Sequence, residues 1–251
     1  MQTRLIFFSV TAFVFGLCTA LPAQAEVYEL RIYTTNTGKL ENLNARFRNH
    51  TVQLFNKHGM ESIGYWVPTD GEKSKNTLIY VLKHESRDAA KASWSAFIQD
   101  PEWKKVAKES QVDGPILAKA PEAVFMDAAD YSPQWKNGDS DSDDVFELRI
   151  YQAAEGKLGK LDARFRDHTM GLFEKHGIRN VAYWHPTDAP KSEDHLIYII
   201  KHNSRDAAKA SWTAFIQDPE WRKAAQASGV GRLAKPPEST YMKATDYSSI
   251  K

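Results

Sequence analysis

Apolar and polar residues alternate with a period of two along Val27–Tyr33, the pattern of a strand that has one polar face. In Gly38–His58 the apolar residues instead recur three and four positions apart, which predicts an amphipathic helix. Gly59 follows directly and supplies a typical helix stop. The chain therefore opens with a strand and a helix.

The next apolar segments predict two strands, a helical region and a last strand. They are a strand at Ser62–Val67, a central strand at Leu78–Leu82, a helix that begins at Ser86 or Asp88, its restart at Asp100-Pro101, and a short strand at Ala123–Met126. The resulting order, β-α-β-β-α-β, is that of the ferredoxin-like motif. Such a unit carries its helices on one face of the sheet, so the other face needs a cover.

The whole unit occurs twice in the chain, as a tandem repeat. Tyr28–Tyr33 (YELRIY) recurs as Phe146–Tyr151 (FELRIY), and Ser86–Trp94 recurs without change as Ser204–Trp212. A second copy in the same chain can cover the open face of the first sheet. We therefore expect an α+β protein in which two ferredoxin-like domains pack sheet to sheet as an intramolecular pseudo-dimer.

Four segments follow from this repeat: residues 1–25, a first domain at 26–132, an acidic linker at 133–143 and a second domain at 144–251. The first segment has the pattern of a bacterial-type secretory signal peptide, with Arg4, an apolar run over Leu5–Leu17 and a small-x-small site at Ala23–Ala25. An uncleaved anchor is the alternative. We expect a cleaved signal and a periplasmic or secreted protein that has no membrane contact after cleavage.

Composition narrows the function classes. The 251 residues include 33 basic and 32 acidic side chains, so no positive field favours nucleic acid as a partner. The single cysteine, Cys18, lies in the predicted signal and excludes an internal disulfide framework. No His-x-x-x-His or comparable ligand spacing occurs, so we expect no metal site.

Five short motifs give the sequence a family resemblance. They are Glu29–Tyr33 (ELRIY), Gly38–Leu40 (GKL), His58-Gly59, Tyr65-Trp66 and Asp100–Trp103 (DPEW), and the second copy shows the same pattern. This set resembles the NIPSNAP domain. The resemblance implies a dimeric α/β-barrel akin to those of antibiotic-biosynthesis monooxygenases and chlorite-dismutase-like haem proteins. It supplies no agreed reaction, so the catalytic residues stay unknown.

Residue chemistry indicates a candidate ligand site in each half. His50 and His168 lie at the flank of the apolar helix stripe, one turn after Arg46 and Arg164. Tyr65-Trp66 and Tyr183-Trp184 place one aromatic ring on each face of the second strand. The candidate ligand-binding residues are His50, Arg46, Tyr65, Trp66, His168, Arg164, Tyr183 and Trp184. Structural histidines at the edge of the core are the alternative.

The first strands also carry Glu29 with Arg31 and Glu147 with Arg149 on one face. We expect these to be structural ion pairs between the two sheets, across the pseudo-twofold axis, with acid/base chemistry as the alternative.

Three functions remain open. The first is a monomer that binds a small apolar or aromatic ligand between sheet and helices, without a cofactor. The second is an enzyme, either a cofactor-free oxygenase with His50 or His168 as base or a haem enzyme with one of these imidazoles as axial ligand. The third is a non-catalytic interaction protein of the cell envelope.

Overall fold

The computed structural model describes residues 25–134 and 143–250. The predicted signal peptide lies outside the described residues except for Ala25, as do linker residues 135–142.

The first half contains four strands and five α-helices. They are β1 Val27–Thr34, α1 Leu40–Arg46, α2 Val52–Lys57, β2 Glu61–Pro68, α3 Lys73–Asn76, β3 Thr77–His84, α4 Arg87–Gln99, α5 Pro101–Glu109 and β4 Glu122–Ala128. A π-helical segment, Phe47–Thr51, joins α1 to α2. Ser86 and Asp100 accept backbone hydrogen bonds at the starts of α4 and α5, as their positions in the sequence predict.

The second half repeats the first. Its elements are β5 Val145–Gln152, α6 Leu158–Arg164, α7 Met170–Lys175, β6 Arg179–Pro186, β7 His195–His202, α8 Arg205–Gln217, α9 Pro219–Ala227 and β8 Glu238–Ala244. A second π-helical segment, Phe165–Thr169, joins α6 to α7, and a 3-10 turn at Lys191–Glu193 takes the place of α3. Among the described residues, no helix combines the length and apolar character that crossing a bilayer requires.

The eight strands form one closed antiparallel barrel in the order β1-β3-β2-β8-β5-β7-β6-β4. Each half supplies four adjacent strands, with β3 or β7 in the interior of its sheet. The halves are joined by hydrogen-bonded edges, β2 to β8 (Trp66 opposite Ala244) and β4 to β6 (Met126 opposite Pro186). The sequence predicts only that the two sheets face each other. In the structure their edge strands are also hydrogen-bonded to each other.

Three apolar clusters fill the molecule. One lies inside the barrel and contains residues of both halves, with Trp66 in contact with Phe146 at a ring distance of 5.7 Å. The other two lie between each half-sheet and its helices. Alternation along β1 assigns the faces, since Leu30 points into the barrel while Glu29 and Arg31 point toward the helices.

Candidate functional site

The π-helical segment decides where His50 points. The Val52 amide bonds to the Phe47 carbonyl, five residues back, which widens this turn by one residue. Thr51 consequently occupies the buried position, where its hydroxyl donates to the Arg46 carbonyl at 3.2 Å. His50 lies on the exposed side of the helix, and His168 does the same in the second half.

Arg46 is buried beside α5. Its guanidinium lies 5.2 Å from the centre of the Trp103 ring and contacts the Ser110 hydroxyl at 3.4 Å. Burial lowers the pKa of Arg46, and nearby tyrosines oppose that shift. Arg46 and His50 both line a small cavity of about 290 Å³ between the first helix and α5, away from the sheet.

Tyr65 and Trp66 lie on opposite faces of β2. Tyr65 is fully buried between sheet and helices, with its hydroxyl 2.6 Å from Ser62 Oγ, and burial raises its pKa. Trp66 lies inside the barrel. Their arrangement with respect to the two faces is the predicted one, but neither residue lines the cavity of His50 and Arg46.

The second half repeats this distribution. Arg164 lies 5.1 Å from the Trp221 ring centre, Tyr183 is buried against the helices with its hydroxyl bonded to Asn180, and Trp184 lies inside the barrel. The structure therefore does not bring the eight predicted residues into one pocket per half. Their role in binding remains a prediction.

A different polar cluster lies on the helix-facing side of β5, centred on the fully buried carboxylate of Glu147. Four side chains donate hydrogen bonds to it: Arg149 at 2.5 Å, Ser239 at 2.6 Å, Trp212 at 2.8 Å and His202 at 3.0 Å. The four donors come from four different elements of the same half, β5, β7, α8 and β8. The Glu147–Arg149 pair therefore forms within one half, on the outer face of the barrel.

The first half has the equivalent cluster around Glu29. Arg31, Trp94 and His84 donate at 2.6, 2.7 and 3.0 Å. The prediction that these ion pairs cross the pseudo-twofold axis was wrong, because Leu30 and its apolar neighbours occupy the interior face and leave Glu29 on the outer one. His84 and His202 were not predicted as partners from the sequence; the strand register brings them to the carboxylates.

The hydrogen bonds control the charge of Glu147. Burial alone raises its pKa, but His202, the Arg149 charge, Ser239 and Trp212 outweigh burial and lower the pKa to about 2. The pKa of Glu29 is lowered by its own set of donors. Both carboxylates are thus ionised at neutral pH and hold no proton to donate as a general acid.

An open groove of about 750 Å³ runs beside the second cluster, between the sheet and helices α8 and α9. Five aromatic rings and two arginines dominate its wall: Tyr151, Trp212, Phe215, Trp221, Tyr241, Arg149 and Arg205. The Arg149 guanidinium lies 4.4 Å from the centre of the Trp212 ring, and Arg205 lies 3.4 Å from that of Tyr241. A groove of this kind suits a flat, largely apolar ligand.

Two further histidines contact the aspartates that cap α5 and α9. His58 Nε2 lies 2.7 Å from Asp100, and His176 Nε2 lies 2.6 Å from Asp218. In residues 25–134 and 143–250, no three His, Cys, Asp or Glu side chains gather as a set of potential metal ligands.

The paired halves match a family model for NIPSNAP over residues 28–133 and again over 146–249. The chain belongs to the NIPSNAP family. The NipSnap homolog of Dictyostelium discoideum is 29% identical over 166 residues, which cover 65% of this chain and 64% of that protein. The match thus spans less than two thirds of the length of this relative.

Solved structures share the fold of this NIPSNAP protein. A proposed monooxygenase from Fusobacterium nucleatum superposes with a TM-score of 0.55 at 11% identity, covering 88% of this chain and 93% of that one. An anthrone oxidase-like protein superposes with a TM-score of 0.58 at 14% identity, covering 88% and 92%. At these identities the likeness establishes the architecture of a dimeric α/β-barrel type and leaves the activity unresolved.

Proposed function

We propose that this NIPSNAP protein binds a small apolar or aromatic ligand between the sheet and the helices of its second half. The supporting observation is the groove beside Glu147, where five aromatic rings surround the edge of a buried arginine. The Arg149 side chain is 13% exposed, so a bound molecule can reach it.

The groove is held in shape by its own hydrogen bonds. Arg149 donates to Glu147 and to the Tyr151 hydroxyl, the latter at 3.2 Å, and it stacks on Trp212. A planar ligand can stack on the exposed parts of Trp212 and Trp221, while a negative substituent would meet Arg149 or Arg205. Preorganised rings lose little conformational freedom on binding.

The residues predicted from sequence keep a secondary place in this proposal. His50 and Arg46, like His168 and Arg164, would contact a ligand only at the outer surface between the first helix and the last helix of each half. Tyr65, Trp66, Tyr183 and Trp184 would support the layers from within. We keep export through residues 1–25 to the periplasm or exterior as part of the same proposal.

Binding is favoured over catalysis by the state of the polar cluster. A cofactor-free oxygenase requires a base that faces its substrate, as proposed above for His50 or His168. Glu147 has a lowered pKa and all four of its donors in place, and His202 is fully buried with Nε2 directed at Glu147. The cluster therefore positions Arg149 and Trp212, and neither Glu147 nor His202 is free to act as a base toward the groove.

An interaction surface is the second candidate. Ile98 and Ile216 occupy equivalent places on α4 and α8 and are 53% and 57% exposed. Isolated exposed isoleucines are ordinary, but Ile216 also lines the groove, which is consistent with a partner that covers it.

The binding proposal is tested with 1-naphthoate and a pair of matched variants. Thr213 is an exposed wall residue of the groove, and Ser95 is its counterpart in the first half. We expect calorimetric titration to give a Kd for the wild type that Thr213→Trp weakens at least about tenfold by filling the groove. Ser95→Trp should leave the affinity unchanged.

Absence of naphthoate binding, or equal binding by Thr213→Trp and wild type, would contradict the groove as the ligand site. A protein that binds no probe but captures a partner only when Ile216 is intact would favour the interaction surface.

A further inference from the structure

A second cavity opens at one end of the barrel, where β1 and β5 end and the strands β3, β4, β7 and β8 begin. Its volume is about 740 Å³, within the range of sites that enclose small molecules. Thr34, Asn76, Thr77 and Thr240 contribute polar atoms to the wall, and six of its aliphatic side chains come from both halves: Leu30, Ile32, Ile79, Leu148, Ile150 and Ile197. These six residues are related in three pairs by the repeat.

The barrel-end cavity is separate from the groove, although both use β5. Leu148 and Ile150 point into the barrel, whereas Glu147 and Arg149 point toward the helices. One strand thus separates the two sites, and a ligand in either cannot touch the other.

Charged residues ring the mouth of this cavity. Four are lysines in two repeat-related pairs, Lys73 with Lys191 and Lys119 with Lys235, and the others are Glu72, Glu122, Glu238 and His195. Glu72 bonds to Lys75 at 3.0 Å, and Glu122 bonds to Lys119. Within the described part of the chain, Lys73 and Lys191 have no carboxylate oxygen within 4.0 Å, and Lys235 is attracted to Asp194 at longer range.

We infer that the barrel-end cavity binds a free, single-chain amphiphile with an apolar body and one carboxylate head. Burial of a hydrocarbon chain against the six aliphatic side chains of the wall is favourable. Lys73 and Lys191 at the mouth can donate charge-assisted hydrogen bonds to the head. The continuous strands around the cavity leave only its end open, which suits one chain and excludes a bilayer surface.

Decanoate is the probe, measured by calorimetric titration of the full chain. The test variant is the double substitution Lys73→Gln/Lys191→Gln. The control, Lys105→Gln/Lys223→Gln, removes the same charge from exposed, repeat-related positions on α5 and α9. We expect the test variant to weaken the decanoate Kd about tenfold and the control to leave it unchanged.

Two comparisons separate this site from unspecific binding. Each methylene added between hexanoate and decanoate should tighten the Kd about three- to fourfold, as burial in an aliphatic wall predicts. Decyltrimethylammonium should bind more weakly than decanoate. The groove variant Thr213→Trp should bind decanoate like wild type, which keeps this result independent of the naphthoate experiment.

The inference is overturned if decanoate does not bind, if test and control variants have equal Kd values, or if the cationic amphiphile binds as tightly as decanoate. It is also overturned if the protein pellets with phosphatidylglycerol vesicles and the lysine pair controls that binding, since the lysines would then recognise a lipid surface.

Discussion

At the scale of single residues, the two buried glutamates differ by one hydroxyl group. Ser239 donates to Glu147, whereas Ala123 occupies the equivalent position on β4 beside Glu29. The second carboxylate therefore has four donors and the first has three. Hydrogen bonds to the charged form of a carboxylate lower its pKa, so the second cluster is the more firmly ionised of the two.

This charge makes the stability depend on pH. The pKa of Glu147 is about 2 in the folded protein and about 4.5 when unperturbed, so its stabilising contribution is complete above pH 4.5 and is lost as the pH falls toward 2. In urea unfolding, we expect Glu147→Gln to lower the free energy of unfolding at pH 7 by about 3 kcal/mol. The difference from wild type should shrink over pH 4.5 to 2.

The difference between the two proteins is the measurement, because other carboxylates titrate in the same range. Hydrogen bonds from Lys57 and Lys175 lower the pKa of Asp100 and Asp218. The free energy of unfolding of Ser239→Ala at pH 7 should lie between those of the wild type and Glu147→Gln. A constant offset at every pH would show that Glu147 does not titrate as its contacts imply.

The sequence predicts the polar faces of β1 and β5 but not the partners of their glutamates. In the register of β1 and β3, His84 lies opposite Val27, two residues from Glu29 on the same face. Trp94 reaches the carboxylate from α4. These proximities depend on strand register and helix docking, which residue periodicity does not contain.

At the scale of elements, the first helix shows why a regular wheel misplaces a residue. A constant 100° per residue puts His50 on the sheet-facing stripe. The wider π turn over Phe47–Thr51 rotates the chain, so Thr51 and not His50 faces inward. Helix limits were predicted well where a cap defines them, as at Ser86 and Asp100, but a π turn has no comparable sequence signal.

The buried threonine of this turn gives a test. Thr51→Val keeps the shape of the side chain but removes the hydroxyl that donates to the Arg46 carbonyl. We expect the free energy of unfolding to fall by about 0.5–1.5 kcal/mol, the usual net value of one such bond. Thr51→Ser retains the donor and should recover the bond while losing only a methyl group.

Denaturant unfolding of the two variants and of the matching pair at Thr169 would measure this effect. If the valine and serine variants are equally stable in both halves, the hydroxyl does not stabilise the π turn.

At the scale of the whole molecule, closure within one chain depends on the strand pairs β2–β8 and β4–β6. Four ion pairs in the described part of the chain also link the halves, at 2.6 to 2.8 Å: Arg48 to Asp246, Arg87 to Asp188, Arg166 to Asp130 and Arg205 to Asp70. Their side chains are all at least about one third exposed, so these pairs add little free energy, and closure depends mainly on the strand pairs.

Both edges of each half-sheet pair with the other half, so the described strands leave no free sheet edge to pair with another copy of the chain. We expect residues 26–251 to be a monomer by size-exclusion chromatography with light scattering at micromolar concentration. A stable dimer would contradict internal closure as the complete arrangement.

The duplication and the order of elements predict most of this architecture, because strand and helix periods are local and the repeat shows what covers the open face. The shared edges are not predictable in this way. Trp66 pairs opposite Ala244, a residue of the other half far away in the sequence, and no local pattern distinguishes stacked sheets from sheets joined at their edges.

Covalent linkage of the two halves also changes what substitution can achieve over time. In a symmetric homodimer every substitution appears twice, so both sites change together. Here the two halves differ at equivalent positions: Ser239 stands where the first half has Ala123, and Thr240 stands where it has Val124. A gene that encodes both halves can therefore conserve the first as scaffold while the second acquires its own specificity.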